Sequence, residues 1–236
     1  DISKQIKEYT IFTSGYLIRD PAHQQAVFGG PIGKEVYARV AKDMNVQILG
    51  IEYLGTRQLN LREPRNVMTP ADMAGVKLRM PGSKSWQFLG KALGANPTPM
   101  DFNEVYLGMQ TGTVDGQDNP LPVVVEAKFY EVSKQIVLTS HLVDGTFVAI
   151  AKKYWDGLTR EQREAVQTAA DTAIAFNNTA NMKSELSVQD FLRSKGMKIS
   201  TPNRDAFRKA VQNAYLKSDY SKTWPPGLLD RINATK

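Results

Sequence analysis

A chain of 236 residues, 42% hydrophobic and 23% charged, is long enough for one large domain or two medium lobes, and its scattered 17 glycines and 12 prolines exclude a disordered tract. The net charge of +6 arises from 30 lysines and arginines dispersed among 24 acidic residues, so no basic stripe for nucleic acid exists and the charge instead suits steering of small anions. No apolar run approaches the roughly 18 residues needed to span a bilayer, and the absence of cysteine excludes disulfides, thiolate zinc sites and cysteine nucleophiles. The opening Asp1-Ile2-Ser3-Lys4 is no charged-then-apolar leader, so a soluble chain is expected with any leader already removed.

After the Gly29-Gly30 breaker, Ile32, Val36, Tyr37, Val40 and Met44 recur at helical spacing, predicting an amphipathic helix over Pro31 to Met44, followed by a buried strand over Val46 to Tyr53. Thr69-Pro70-Ala71-Asp72 starts a one-turn helix ahead of a strand over Val76 to Met80 that Pro81 stops. Ser83 to Leu93 reads as a helix closed by Gly94, and Asp101 to Glu104 opens another over Asn103 to Gln110, ended by Gly112. Strands are expected at Gln135 to Leu138 and at Thr146 to Ala151. Thr159 and Gln162 form a capping box for a long helix reaching Lys195, with Val166, Ala169, Ala173, Phe176 and Ala180 as its buried stripe. A helix over Arg204 to Leu216 then precedes an irregular tail around Trp224-Pro225-Pro226. Alternating strands and helices, with strands too apolar to face water, predict an α/β sheet covered on both faces.

The signatures of hydrolases, zinc proteases, dinucleotide folds and P-loops are all missing, and the two histidines, His23 and His141, lack the acidic or thiol neighbours of a zinc site. His141, ending an apolar strand, is the better functional candidate of the two. Arg79 lies in the apolar run Val76 to Met80, at the strand end where open α/β sheets place ligands, and Arg57 follows Gly55-Thr56. A guanidinium there can grip a carboxylate through two parallel hydrogen bonds; a structural ion pair is the alternative. Asp115-Gly116-Gln117-Asp118-Asn119-Pro120 supplies amides and carboxylates at a third strand end, although such residues before proline also make ordinary turns.

Taken together, Val76-Lys77-Leu78-Arg79-Met80-Pro81, Leu93 to Met100, Glu104-Val105-Tyr106, Asp115 to Pro120, Phe129-Tyr130-Glu131-Val132 and Leu138-Thr139-Ser140-His141 resemble the solute-binding family of tripartite ATP-independent periplasmic (TRAP) transporters. The resemblance implies a two-lobed α/β clamshell with a long helix spanning both lobes, no catalysis, no cofactor, a periplasmic location, a monomer, and TRAP membrane subunits as partners. It makes Arg79 the principal salt bridge to a ligand carboxylate, Arg57 the second arginine, Asn119 a hydrogen-bonding partner and Phe102 a packing surface. Trp86 is a candidate for stacking on a sugar ring, Asp118 stands where many relatives carry glutamate, and His141 completes the candidate set. Relatives begin with a strand, a helix and a further strand ahead of anything visible here, so the chain is expected to be one unit of two interleaved lobes lacking the N-terminal part of the first.

The expected ligand is a sugar acid, a hexuronate such as glucuronate or galacturonate, because an indole beside a carboxylate clamp suits a ligand with a ring face and one anionic end. A C4-dicarboxylate is the alternative within the family. An enzyme, a lyase or isomerase using Glu104, Asp115 or His141 as acid and base, is the alternative outside it.

Overall fold

Asp20 accepts the backbone N–H of His23 ahead of Pro21, and these two devices open the first helix, α1 (Pro21–Gly29). Pro31 opens α2 (Pro31–Met44), which stops where Asn45 turns left-handed at φ 54°. The computed structural model describes residues 1–236. Next come β1 (Val46–Leu61), β2 (Lys77–Met80), α3 (Lys84–Ala92), β3 (Asn96–Pro99), α4 (Val105–Thr111), β4 (Gly116–Pro120) and α5 (Leu121–Glu126). The chain continues through β5 (Gln135–Ala151), α6 (Lys152–Gly157), α7 (Arg160–Ser194), β6 (Lys198–Ser200), α8 (Arg204–Leu216), α9 (Asp219–Thr223) and α10 (Leu228–Ala234). Ser83 caps α3, the Thr159–Gln162 box opens α7 and left-handed Gly112 ends α4, as their spacing predicts.

The strands form one mixed sheet in the order β3-β2-β4-β1-β5-β6. β1 runs antiparallel to β4 and β5, whereas β2 is parallel to β3 and β4 and β5 is parallel to β6. Along β1, buried and half-buried residues are interspersed up to Thr56, and from Arg57 onward every residue is buried, the mark of a strand covered on both faces. Under its first half, Val27, Ile32, Val36, Ile48 and Ile51 form one core with Leu228 and Ile232 of α10. Around its second half, α3 and α8 pack Leu89, Phe207 and Val211 on Leu59 and Leu78. A third cluster there joins Met109, Val124 and Leu192 of α4, α5 and α7 to Ile136. Two α/β lobes result, joined by the β1–β5 ribbon and by α7. No helix is long and apolar enough to cross a membrane.

Three sequence expectations are corrected here. The two strands expected between Gln135 and Ala151 are a single strand, β5, because the polar run between them is absorbed as a bulge. Arg57 pairs with Leu142 and Leu59 with Val137, so two steps of β1 are matched by five of β5, and the surplus kinks at Ser140 (φ 49°). Gln58 holds that kink by accepting the Ser140 N–H at 2.8 Å.

The buried stripe of α7 is also displaced from its expected position: Ala169, Ala173 and Ala180 are exposed and Phe176 is 77% exposed, while Ala170, Ile174 and Leu192 are buried. Finally, the tail around Trp224 carries α9 and α10 rather than irregular chain, and α10 closes the first core.

The inward face of α7 is polar where it crosses β1. Over Val46–Thr56 that edge of β1 has no neighbouring strand, and its backbone groups are met by side chains of the helix instead. Tyr53 N–H donates to Asn178 Oδ1 at 2.6 Å, Asn181 Nδ2 donates to Tyr53 O at 2.7 Å, and Gln167 Nε2 donates to Leu49 O at 2.8 Å. Glu185 accepts the Thr56 N–H at 2.6 Å and the Tyr53 hydroxyl.

Burial raises the Glu185 carboxyl above its ordinary value, against the opposing pull of the Tyr53 and Thr56 donors. With the folded value above the unfolded one, the stability this carboxyl contributes is fully present below the unfolded pKa and is lost as pH rises through the folded pKa. The melting temperature of the wild type relative to Glu185→Gln is therefore expected to fall as the pH rises above the unfolded value of about 4. A difference independent of pH would show that Glu185 is not perturbed by its burial.

Candidate functional site

β1 and β2 lie on either side of β4, so Arg57 on β1 and Arg79 on β2 flank the Asp118-Asn119-Pro120 end of that strand. Register pairs Arg57 with Pro120 and Arg79 with Gln117. This is the carboxyl end of the parallel strands, as Arg79 in its strand predicts. Gly55, at φ 138°, lets β1 pass close to β4 here: a Cβ would lie 2.4 Å from Pro120 Cβ.

The two guanidiniums have different surroundings. Arg57 donates from Nε to Asp144 Oδ2 at 2.7 Å and from NH1 to the Asp118 carbonyl at 2.8 Å, and its NH1 lies 3.4 Å from Asp118 Oδ1, an ionic contact without hydrogen-bond geometry. Its guanidinium carbon sits 4.4 Å from the centroid of the Trp86 ring. Burial disfavours the charge of Arg57, but Asp144 and Asp118 outweigh that and raise its pKa.

Arg79 is only 4% exposed, yet no carboxylate lies within 4.0 Å of it. Its one protein hydrogen bond runs from Nε to the Met100 carbonyl at 2.9 Å, which fixes the plane of the guanidinium and leaves the terminal nitrogens free. Burial lowers its pKa, with Asp118 opposing and Arg57 adding to the fall. A buried cation without a counter-ion is costly, and an incoming anion removes that cost. Phe102, 44% exposed, presents its ring 5.9 Å from this guanidinium and is braced edge-on by Phe129.

Beneath the arginines, Asp118 is fully buried. Its Oδ2 lies 3.1 Å from His141 Nε2, and His141 Nδ1 lies 2.8 Å from Thr139 Oγ1. Burial pushes the Asp118 carboxyl upward, but Arg57 and His141 overcome this and hold it below the usual carboxylate range. As an ionised acceptor, Asp118 requires His141 Nε2 to donate. The β5 bulge is what brings His141 to this position. Asn119 donates to Gln117 Oε1 at 2.5 Å, and Gln117 donates to Asn60 Oδ1 at 3.1 Å, a buried amide chain that leaves the Asn119 carbonyl oxygen unbonded.

Arg57, Arg79, Asn119, Phe102, Trp86, Asp118 and His141, all read from the sequence, therefore converge on one strand end. They do so in two layers. Asp118 and His141 are fully buried supports, and Trp86, 8% exposed, lies against the Arg57 guanidinium, where its ring packs on that cation. Asp144 is a member of the cluster that the sequence reading missed. An acid three residues after His141, within a β-branched run, is the signal that marks it once β5 is read as continuous.

Residues 1–222 match the family of bacterial extracellular solute-binding proteins, family 7 (DctP). The chain belongs to that family. A TRAP periplasmic solute-binding protein of Roseobacter denitrificans, crystallised with 3-deoxy-D-manno-oct-2-ulosonic acid, superposes with a TM-score of 0.98 at 49% identity, covering 100% of this chain and 78% of that one. The TRAP solute-binding protein of Xanthobacter autotrophicus with bound β-D-galacturonate gives a TM-score of 0.87 at 28% identity, covering 100% of this chain and 78% of that one. The sialic acid-binding periplasmic protein of Vibrio cholerae is 34% identical over 204 residues, 86% of this chain and 63% of its own. The chain thus spans somewhat under two-thirds of the length of that curated relative.

Proposed function

We propose that the protein is a periplasmic solute-binding protein that captures a sugar acid by its carboxylate and passes it to the membrane subunits of a TRAP transporter, without catalysing a reaction. The observation that carries this reading is Arg79: a guanidinium buried to 4% exposure with two free terminal nitrogens and no carboxylate within 4.0 Å. A ligand carboxylate accepts from those nitrogens, the free nitrogen of Arg57 and the Asn119 amide stand beside it, and Phe102 packs on the adjoining carbons.

Of the possible sugar acids, an eight-carbon 3-deoxy-2-ulosonate is the first reading, supported by the Roseobacter denitrificans neighbour at 49% identity. The hexuronate expected from the sequence is the second, supported by the galacturonate-bound neighbour at 28% identity.

A thermal-shift panel of 3-deoxy-octulosonate, glucuronate, galacturonate, succinate and malate tests both. At a hundredfold excess over Kd, mass action contributes about 2.7 kcal/mol, an increase of about 5–10 °C in melting temperature for a chain of this size. Stabilisation by the sugar acids with no change in the ligand is expected. Stabilisation by succinate or malate alone would overturn the sugar-acid reading, and conversion of any compound would overturn the binding reading.

A further inference from the structure

The cluster that holds Arg57 contains more negative charge than its placement requires. Two carboxylates, Asp118 and Asp144, approach this one guanidinium at 3.4 and 2.7 Å, whereas none approaches Arg79. Asp118 alone already fixes NH1 through its carbonyl and faces it with its carboxylate, and the Trp86 ring lies against the group. Asp144 adds a second negative charge at Nε, and its side chain is still 17% exposed on the strand β5 that flanks the site. Its other oxygen accepts the Gly145 N–H at 2.9 Å, so the carboxylate is oriented from both ends. Two guanidiniums therefore stand against two carboxylates, and the cation left uncompensated is Arg79.

We infer that Asp144 is a specificity-determining residue that restricts this site to ligands carrying one negative charge. The inference rests on the sugar-acid reading above and specifies its charge class. A monoanion places its carboxylate on Arg79, beside the free nitrogen of Arg57, and turns a hydroxyl group toward the Nε side of Arg57, where Asp144 accepts the hydroxyl hydrogen. A ligand with a second carboxylate or a phosphate brings that group against Arg57, whose charge is already balanced, and meets the Asp144 carboxylate at close range. Like charges held close in a partly buried site repel strongly, and rejection of this kind discriminates without a dedicated contact to the right ligand.

The test compares monoanions with dianions of matched shape by calorimetry: 3-deoxy-octulosonate, galacturonate and galactonate against galactarate, which differs from galactonate by one carboxylate. Wild type is expected to bind its best monoanion at least about tenfold more tightly than galactarate. In Asp144→Asn the ratio is expected to move about tenfold or more toward galactarate, while the exposed control Asp190→Asn, with the same change in net charge, leaves it unmoved. Loss of Arg57 positioning alone would weaken both ligand classes together and leave the ratio unchanged, and that result overturns the inference. Equal affinity of wild type for galactonate and galactarate overturns it as well, with no variant needed. Failure of wild type to bind any sugar acid would instead count against the sugar-acid reading itself.

Discussion

Replacing Arg79 with lysine is expected to weaken binding of the sugar acid proposed above by about 1.5–3 kcal/mol, roughly a tenfold to hundredfold rise in Kd, although the formal charge is kept. The reason lies in the geometry around the Nε of Arg79. Its hydrogen bond to the Met100 carbonyl at 2.9 Å uses one donor to set the plane and leaves the other two nitrogens as a fork. Lysine has a single ammonium, whose three donors diverge from one point and cannot present the two parallel N–H groups of a bidentate pair. Burial makes the substitution worse, because an ammonium is hydrated more strongly than a guanidinium and is harder to hold at a buried strand end. Calorimetry on wild type and variant measures the loss, and an unchanged Kd would show that the carboxylate is held elsewhere.

Asp118→Asn is expected to affect stability first. Removing one partner of a buried charged group costs about 3–5 kcal/mol, here because Arg57 loses a counter-charge and His141 Nε2 loses its ionic acceptor. At about 2–4 °C per kcal/mol for a chain of this size, the melting temperature at pH 7 should fall by about 6–20 °C. The dependence on pH has a definite sign. Asp118 has a folded-state pKa below its unfolded one, so its contribution is present above the unfolded value near 3.9 and is lost as pH falls through the folded value. Wild type and variant should therefore converge as the pH is taken below about 4. Denaturant unfolding at pH 7 and in acid distinguishes this outcome from a gap that does not depend on pH.

Much of this architecture was legible in the sequence wherever a local device fixes a local structure. Asp101 with Glu104 and Thr159 with Gln162 satisfy helix-end donors in place, and Gly112 turns left-handed without a steric penalty, so those boundaries follow from a few residues. Arg79 was legible for a related reason: a long cationic side chain inside an apolar strand has to be explained by something close to it. What sequence reading missed depends on partners distant in the chain. Thr139, Ser140 and His141 look like the end of a strand, and only Gln58 and Asp118, over twenty residues away, make them a bulge within a longer one. The stripe of α7 was misplaced because periodicity counts apolar residues. Asn177, Asn178, Asn181 and Glu185 face inward to complete the hydrogen bonds of β1, so the inner face of the helix is polar and Phe176 points to solvent. Asp144 falls in the gap between the two strands expected there, and only the continuous β5 brings it to Arg57.

The position of that polar crossing has a mechanical consequence. With 35 residues at 1.5 Å each, α7 is a rod about 50 Å long, and Asn177, Asn178 and Asn181 fasten it to Tyr53 at its midpoint. One arm is tied by Gln167 to Leu49 in the first lobe, and the other ends with Leu192 in the core of the second. A rod pinned at its centre is a lever with equal arms: a tilt of about 10° at the pin sweeps each tip through about 4 Å. The pin lies only a few residues from Arg57. A small rotation in the strand that carries Arg57 is thus converted into displacements of several ångströms at both ends of the helix, one in each lobe.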